Sequence, residues 1–334
     1  MDRIYVQTND ASRNEVVAFD RAADGRLSRL GRFETGGLGS GVPHLASQSS
    51  LALGGGRLLV TNAGSDELSL FRVATDGLEL VARTASGGQA PTSVAVHGDL
   101  AYVLNNGTPG IAGFSLADGS LMPLEGSVRP LAAEADPAQI AFSPNGRTLV
   151  VTERGTNSIS TFAVDQTGLA AEPETIASLG ATPYGFDFAG EAVVVTEAFG
   201  GEIGAAAASS YSLSAGRLEP LSASVADTRS EVCWAAVSKD GCFVYVTNFG
   251  DCTISSYAVG DDGSIKLAEA VAASTRIGEK GVRDEAITGD GRFLYALDAD
   301  AQRIFGWSVG EDGSLSPIGD ADGLPKTVAG LAAS

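Results

Sequence analysis

Short apolar runs centred on valine recur along the whole chain, and the clearest is Phe243-Val244-Tyr245-Val246-Thr247-Asn248. The turn Phe249-Gly250-Asp251 follows it, then a second apolar run from Thr253 to Val259, so the stretch reads as strand, tight turn, strand. Aligning on the central valine gives Val6, Val60, Val103, Val151, Val195, Val246 and, more weakly, Ala296, spaced about 43 to 54 residues apart. That period is the length of a four-stranded propeller blade. Each copy adds a short first strand, such as Gln139-Ile140-Ala141-Phe142 or Ala235-Ala236-Val237-Ser238, and a Gly-bearing turn such as Asn145-Gly146 or Asp240-Gly241. Asn-Gly and Asp-Gly supply the positive φ angles that tight hairpins need. The third strand carries an aromatic: Phe19, Phe71, Phe114, Phe162, Tyr211, Tyr257 and Trp307. A further turn, Asp118-Gly119 and Asp262-Gly263 among them, leads into a fourth strand.

The first copy lacks its first strand, and the C-terminal run from Val328 to Ala333 supplies an orphan one. Pairing the two would close a ring and remove the free sheet edges of an open array. The expectation is all-β: a seven-bladed β-propeller with four-stranded antiparallel blades, the C-terminal strand completing the N-terminal blade. Because each blade buries its faces only against neighbours, residues 1–334 form a single domain.

Composition narrows the function. The formal net charge is −19, and so acidic a surface repels phosphate backbones and anionic lipid; neither nucleic acid nor membrane is expected as a partner. The three cysteines, Cys233, Cys242 and Cys252, show neither a disulfide framework nor zinc spacing. Met1-Asp2-Arg3-Ile4-Tyr5-Val6 runs straight into a strand pattern without an apolar signal core, so a cytoplasmic location is expected; a monomer is expected as well.

Strand alternation sorts the loops into two faces. Loops entering first strands share the top face with loops joining second to third strands. Three long loops belong there: a Gly-rich one from Glu34 to Gln48, one from Phe199 to Gly204, and one from Thr275 to Arg283. Long loops on one rim of a rigid scaffold are where binding resides. His44 falls on the top, with a catalytic, a ligand-binding or a structural role, whereas His97 falls on the bottom. Second strands end in Asn62, Asn105, Glu153, Glu197, Asn248 and Asp298. Asn and Asp suit turns; Glu153 and Glu197 do not, and are candidates for acid/base work or for holding a hard cation, or else are solvated rim groups. First-strand entries add Gln139, Tyr184, Trp234, Arg283 and Asp284. These residues around a channel mouth suit a small polar, partly planar ligand.

Val244-Tyr245-Val246-Thr247-Asn248 resembles the YVTN propeller repeat. Over nearly the whole chain the pattern is similar to the lactonase-like seven-bladed propellers, which include 6-phosphogluconolactonase and the 3-carboxy-cis,cis-muconate lactonising enzyme. Ser47-Gln48-Ser49, Pro137-Ala138-Gln139, Pro183-Tyr184-Gly185-Phe186, Glu197-Ala198-Phe199 and Cys233-Trp234 carry the likeness further. The muconate enzymes are associated with a His and several Arg at the mouth; Gln139 stands at the blade entry where that His would be. The resemblance implies a metal-independent lactonase or cycloisomerase, with no cofactor, acting on a small carboxylated or hydroxylated molecule. Glu197 or His44 would be the base and Glu153 its companion carboxylate. Arg283 or Arg154 would hold substrate charge, Trp234 and Tyr184 would form walls, and Gln48 and Gln139 would orient the substrate. The alternatives are a non-catalytic binding or scaffold propeller and a calcium-dependent lactonase using Glu197, Glu153 and the ring of Asn62, Asn105 and Asn248.

Overall fold

Seven antiparallel sheets step outward in chain order, each from an inner strand to an outer one. The computed structural model describes residues 2–43 and 45–334, so the candidate His44 lies outside the described residues. Blade 1 pairs Ala329–Ala333 with Arg3–Gln7, and Ile4 faces Ala333 while Val6 faces Leu331. The expected ring closure is therefore present. Inner strands of blades 2 to 7 are Leu51–Gly54, Pro91–His97, Pro137–Phe142, Pro183–Ala189, Val232–Val237 and Val282–Ile287. Each lies against the next in a closed circuit around a central channel.

Apolar clusters fill the spaces between blades. Phe19, Phe71, Phe114, Phe162, Tyr211, Tyr257 and Trp307 are all buried in them. Each removes a large apolar face from water, worth about 1.5–3 kcal/mol. Tyr245 and Asn248, in the most conspicuous sequence repeat, are fully buried scaffold residues.

Two local expectations differ. In the turns after the first strands only glycine takes a positive φ, as at Gly146, Gly241 and Gly291. The preceding Asp or Asn instead caps the turn: Asp240 Oδ1 accepts from Cys242 N–H at 3.0 Å and from Ser238 Oγ at 2.6 Å. Blade 3 has no single fourth strand; Met122–Pro123 and Arg129–Pro130 each pair with a different part of Gly110–Ser115. Pro123 and Pro130 lack the N–H that a continuous ladder needs. Among the described residues no helix is long and apolar enough to cross a membrane, and all three cysteines are unbridged.

Candidate functional site

Inner strands start on the top face, and their first residues reach the channel mouth. The edge groups of these strands face the channel without a further strand to pair with, and side chains of other blades satisfy them. Gln139 of blade 4 accepts Phe186 N–H at 2.7 Å and donates to the Phe186 carbonyl at 3.0 Å. Asp187 accepts Val237 N–H at 2.8 Å, and Asp284 accepts Gly330 N–H at 2.9 Å. Gln139, expected to orient substrate, thus ties blade 4 to blade 5.

The Gly-rich loop does more than border the mouth. Residues 45–50 run across it. Ser47 Oγ donates to the Thr92 carbonyl of blade 3 at 2.6 Å, and Gln48 N–H to the Ala138 carbonyl of blade 4 at 3.2 Å. The Gln48 amide then reaches blade 6, donating to the Ala235 carbonyl at 2.8 Å and accepting its N–H at 3.1 Å. Trp234 Nε1–H donates to the Ser47 carbonyl at 3.1 Å, and Arg283 donates to the Pro43 carbonyl. Gln48, also expected to orient substrate, is the pin of this strap.

Beneath and beside the strap lies a dense group. Tyr184 and Trp234 meet with ring centroids 5.5 Å apart and pack with Ala138, Ala198 and Cys233. Arg154 lies over the Tyr184 ring at 4.8 Å, donates to its hydroxyl at 3.2 Å, and pairs with Asp136 at 2.6 Å. Arg283 lies over Phe249 at 5.1 Å. Arg154 thus touches Tyr184 directly, and both arginines act on Cys233 through their charge. Burial pushes the Cys233 thiol and the Tyr184 phenol well up, which removes a thiolate nucleophile. Burial also lowers Arg283, with Asp300 and Asp284 opposing. Asp284 is 2% exposed; burial raises it to about 7, and its Oδ1 is without a partner. Asp136, Phe249 and Cys233 were not singled out as site residues by type, although each stands within a few positions of a residue that was.

Glu153 and Glu197 belong elsewhere. Glu197 Oε1 accepts from Gly180 N–H at 2.7 Å and Ser209 Oγ at 2.5 Å, and Oε2 from Ser224 Oγ at 2.7 Å. Its pKa is raised by burial, against those hydrogen bonds. Glu153 accepts from Ser160 Oγ and from Thr156 Oγ1. In sister blades Asn62 clasps Ser69 and Asn248 clasps Ser255, each at 2.8 Å. Both glutamates therefore occupy a repeated clasp from the second strand to the third. Each carboxylate is held inside its own blade, and among the described residues no three His, Cys, Asp or Glu side chains are grouped to hold a metal. Glu197→Gln is expected to cost at most about 1 kcal/mol of stability, because the amide weakens three hydrogen bonds but escapes the burial penalty that raises the carboxyl. Urea unfolding checks the cost. Lactone turnover within about threefold of the parent would separate a clasp from a general base.

Comparison with known proteins places the fold. No match is found among curated proteins. A protein from Lactobacillus plantarum has 17% identity and a TM-score of 0.76, covering 100% of both chains. A functionally unknown protein from Desulfotomaculum acetoxidans has 15% identity and a TM-score of 0.75, covering 99% of this chain and 98% of that one. The periplasmic gluconolactonase PpgL of Pseudomonas aeruginosa has 18% identity and a TM-score of 0.74, again covering 99% and 98%. The family described as "Lactonase, 7-bladed beta-propeller" matches residues 43–203 and 194–327. Sheet count, ring closure and this match agree, and the chain belongs to the seven-bladed β-propeller lactonase family.

Proposed function

We propose that the chain hydrolyses a lactone of a small carboxylated or hydroxylated acid at the top mouth, without metal or cofactor. The observation that carries this reading is the seating of two guanidiniums at the mouth, Arg154 on the Tyr184 ring and hydroxyl and Arg283 on Phe249 and the Pro43 carbonyl, with Asp284 next to Arg283 in its strand. Two guanidiniums flanking an aromatic wall hold a carboxylate and a developing oxyanion. Asp284, rather than Glu197, is the general base. It takes a proton from water, the hydroxide oxygen bonds to the lactone carbonyl carbon, and the ring C–O bond breaks. The proton returns to the leaving alkoxide, giving the open hydroxy acid. The reverse sequence closes a hydroxy acid to its lactone with loss of water.

Screening a panel of lactones with and without a carboxylate tests this. Turnover of carboxylated members is expected, and Arg283→Ala should raise KM at least about tenfold for them and much less for neutral members. Silence across the panel, with thermal shifts from none, would overturn it. The strap across the mouth favours a second reading, a non-catalytic propeller whose top loops bind a partner; ligand-induced thermal shifts without turnover would select it.

A further inference from the structure

The inter-blade clefts on the bottom face repeat one construction, so each is a control for the others. Blade 6 starts its second strand with Phe243, whose ring lies against Gly313 in the turn of blade 7; a Cβ on Gly313 would lie 2.5 Å from it. Two residues on, Tyr245 donates its hydroxyl to the Gly313 carbonyl at 2.9 Å. Blade 7 repeats this with Phe293 and Tyr295 on Gly25, and blade 3 with Leu100 and Tyr102 on Gly168. Blades 1 and 2 use arginines: Arg3 donates to the Ala74 carbonyl at 2.6 Å and Arg57 to the Leu116 carbonyl at 2.5 Å.

Blade 4 has Thr148 and Val150 at these two positions. The carbonyl of Gly216 in the blade 5 turn is taken by the Thr161 hydroxyl at 2.6 Å, and a Cβ on Gly216 would meet nothing within 4 Å. Blade 5 is also truncated, with Ala192 and Val194, but its cleft is shut: a Cβ on Gly263 would lie 2.8 Å from the Ala192 methyl and 2.9 Å from Leu221. The cleft between blades 4 and 5 instead keeps a cavity of about 620 Å³, lined by Pro144, Arg147, Thr148, Ala163, Glu191 and Leu213 among others. The corresponding space between blades 7 and 1, with Tyr295 in place, is about 150 Å³. Only the larger has the size of a ligand pocket, about 300–1,000 Å³.

We propose that this cavity is a binding site for a small hydroxyaromatic carboxylate, separate from the top mouth. Blades 6 and 7 place a Phe–Tyr pair at these positions and blade 3 a Leu–Tyr pair, so the space left at Thr148 suits a ring carrying a hydroxyl. Pro144, Ala163 and Leu213 give it apolar walls. Arg147 on the blade 4 side is exposed and makes no ion pair among the described residues, which leaves its guanidinium to a carboxylate. Glu191 on the blade 5 side, also outside the ion pairs of the described residues, accepts the ligand hydroxyl.

The probe is 4-hydroxyphenylacetate, titrated by calorimetry and ligand-detected NMR. Saturable one-site binding is expected. Arg147→Ala should weaken it about tenfold or more while leaving the neutral amide analogue nearly unaffected. The double variant Thr148→Phe with Val150→Tyr, copying blade 6, should abolish binding and leave top-mouth activity intact; Ala163→Trp, at the exposed rim, is the second blocking variant should the first not fold. No binding at millimolar probe, or binding that survives both blocking variants, overturns the proposal. So does a tyrosine-containing peptide that displaces the probe with higher affinity, which would assign the cleft to a protein partner.

Discussion

Glu285→Leu is expected to stabilise the protein by about 1–3 kcal/mol at pH 8, the penalty of a buried group without hydrogen-bond partners. Glu285 is 4% exposed, and neither carboxylate oxygen has a partner. It pairs with Ala296 as Phe186 pairs with Val195 and Ile140 with Val151, so it holds a position that is apolar in sister blades. Burial raises its pKa well above the ordinary value, and the Asp187 and Asp284 charges add to the rise. The gain from leucine should be smaller near pH 4 and grow with pH. A carboxyl with a raised pKa keeps its proton longer when folded than when unfolded. The stability it contributes is whole below the unfolded value and is lost as pH rises through the folded one. Asp187 and Asp227, each raised to about 6 by burial, and Asp284, raised to about 7, act in the same direction. The parent protein should therefore lose stability between about pH 4 and pH 7. Exposed turn carboxylates such as Asp165 and Asp262, held low by hydrogen bonds to Thr167 and Ser264, withdraw stability only as pH falls further. Urea midpoints of parent and variant at pH 4, 6 and 8 test this; a parent midpoint that rises steadily from pH 4 to 8 would refute it.

Asp284→Asn is expected to lower kcat for lactone hydrolysis by about 10²–10⁴-fold, the usual worth of a positioned general base. Asparagine keeps the shape and can still accept Gly330 N–H, so the channel edge stays tied while the proton acceptor is lost. In the parent, kcat/KM should climb with pH and level off above about 7, where Asp284 is ionised. The variant should lack that rise. A variant that keeps the parent's rate and pH profile would remove Asp284 from the chemistry, with circular dichroism confirming that both proteins are folded.

The fold was legible because its signals are local. Valine-centred alternation, Gly turns and third-strand aromatics each lie within one blade, and the period connects them. The same alternation brought Tyr184, Trp234, Arg154 and Arg283 to one mouth. Glu153 and Glu197 were singled out because glutamate is unusual before a turn, yet their partners were visible too. A serine stands seven residues after Asn62, Glu153 and Asn248, and twelve after Glu197, whose following loop is longer. That offset marks a clasp. Pro123 and Pro130 likewise announced the broken outer edge of blade 3. The strap had no such signal: the pairing of Gln48 with Ala235 spans 187 positions and obeys no period.

That separation also sets an order of assembly. Gln48 can find the edge of Ala235 only after the intervening blades have taken shape, because a loop of that length must first be closed by other contacts. Formation of blade contacts should govern the early refolding phases, and docking of the strap should come late. Contacts absent from the folding transition state act chiefly on the unfolding rate. Loosening the Gln48 pin should therefore shorten the lifetime of the native ring while leaving its rate of formation nearly unchanged.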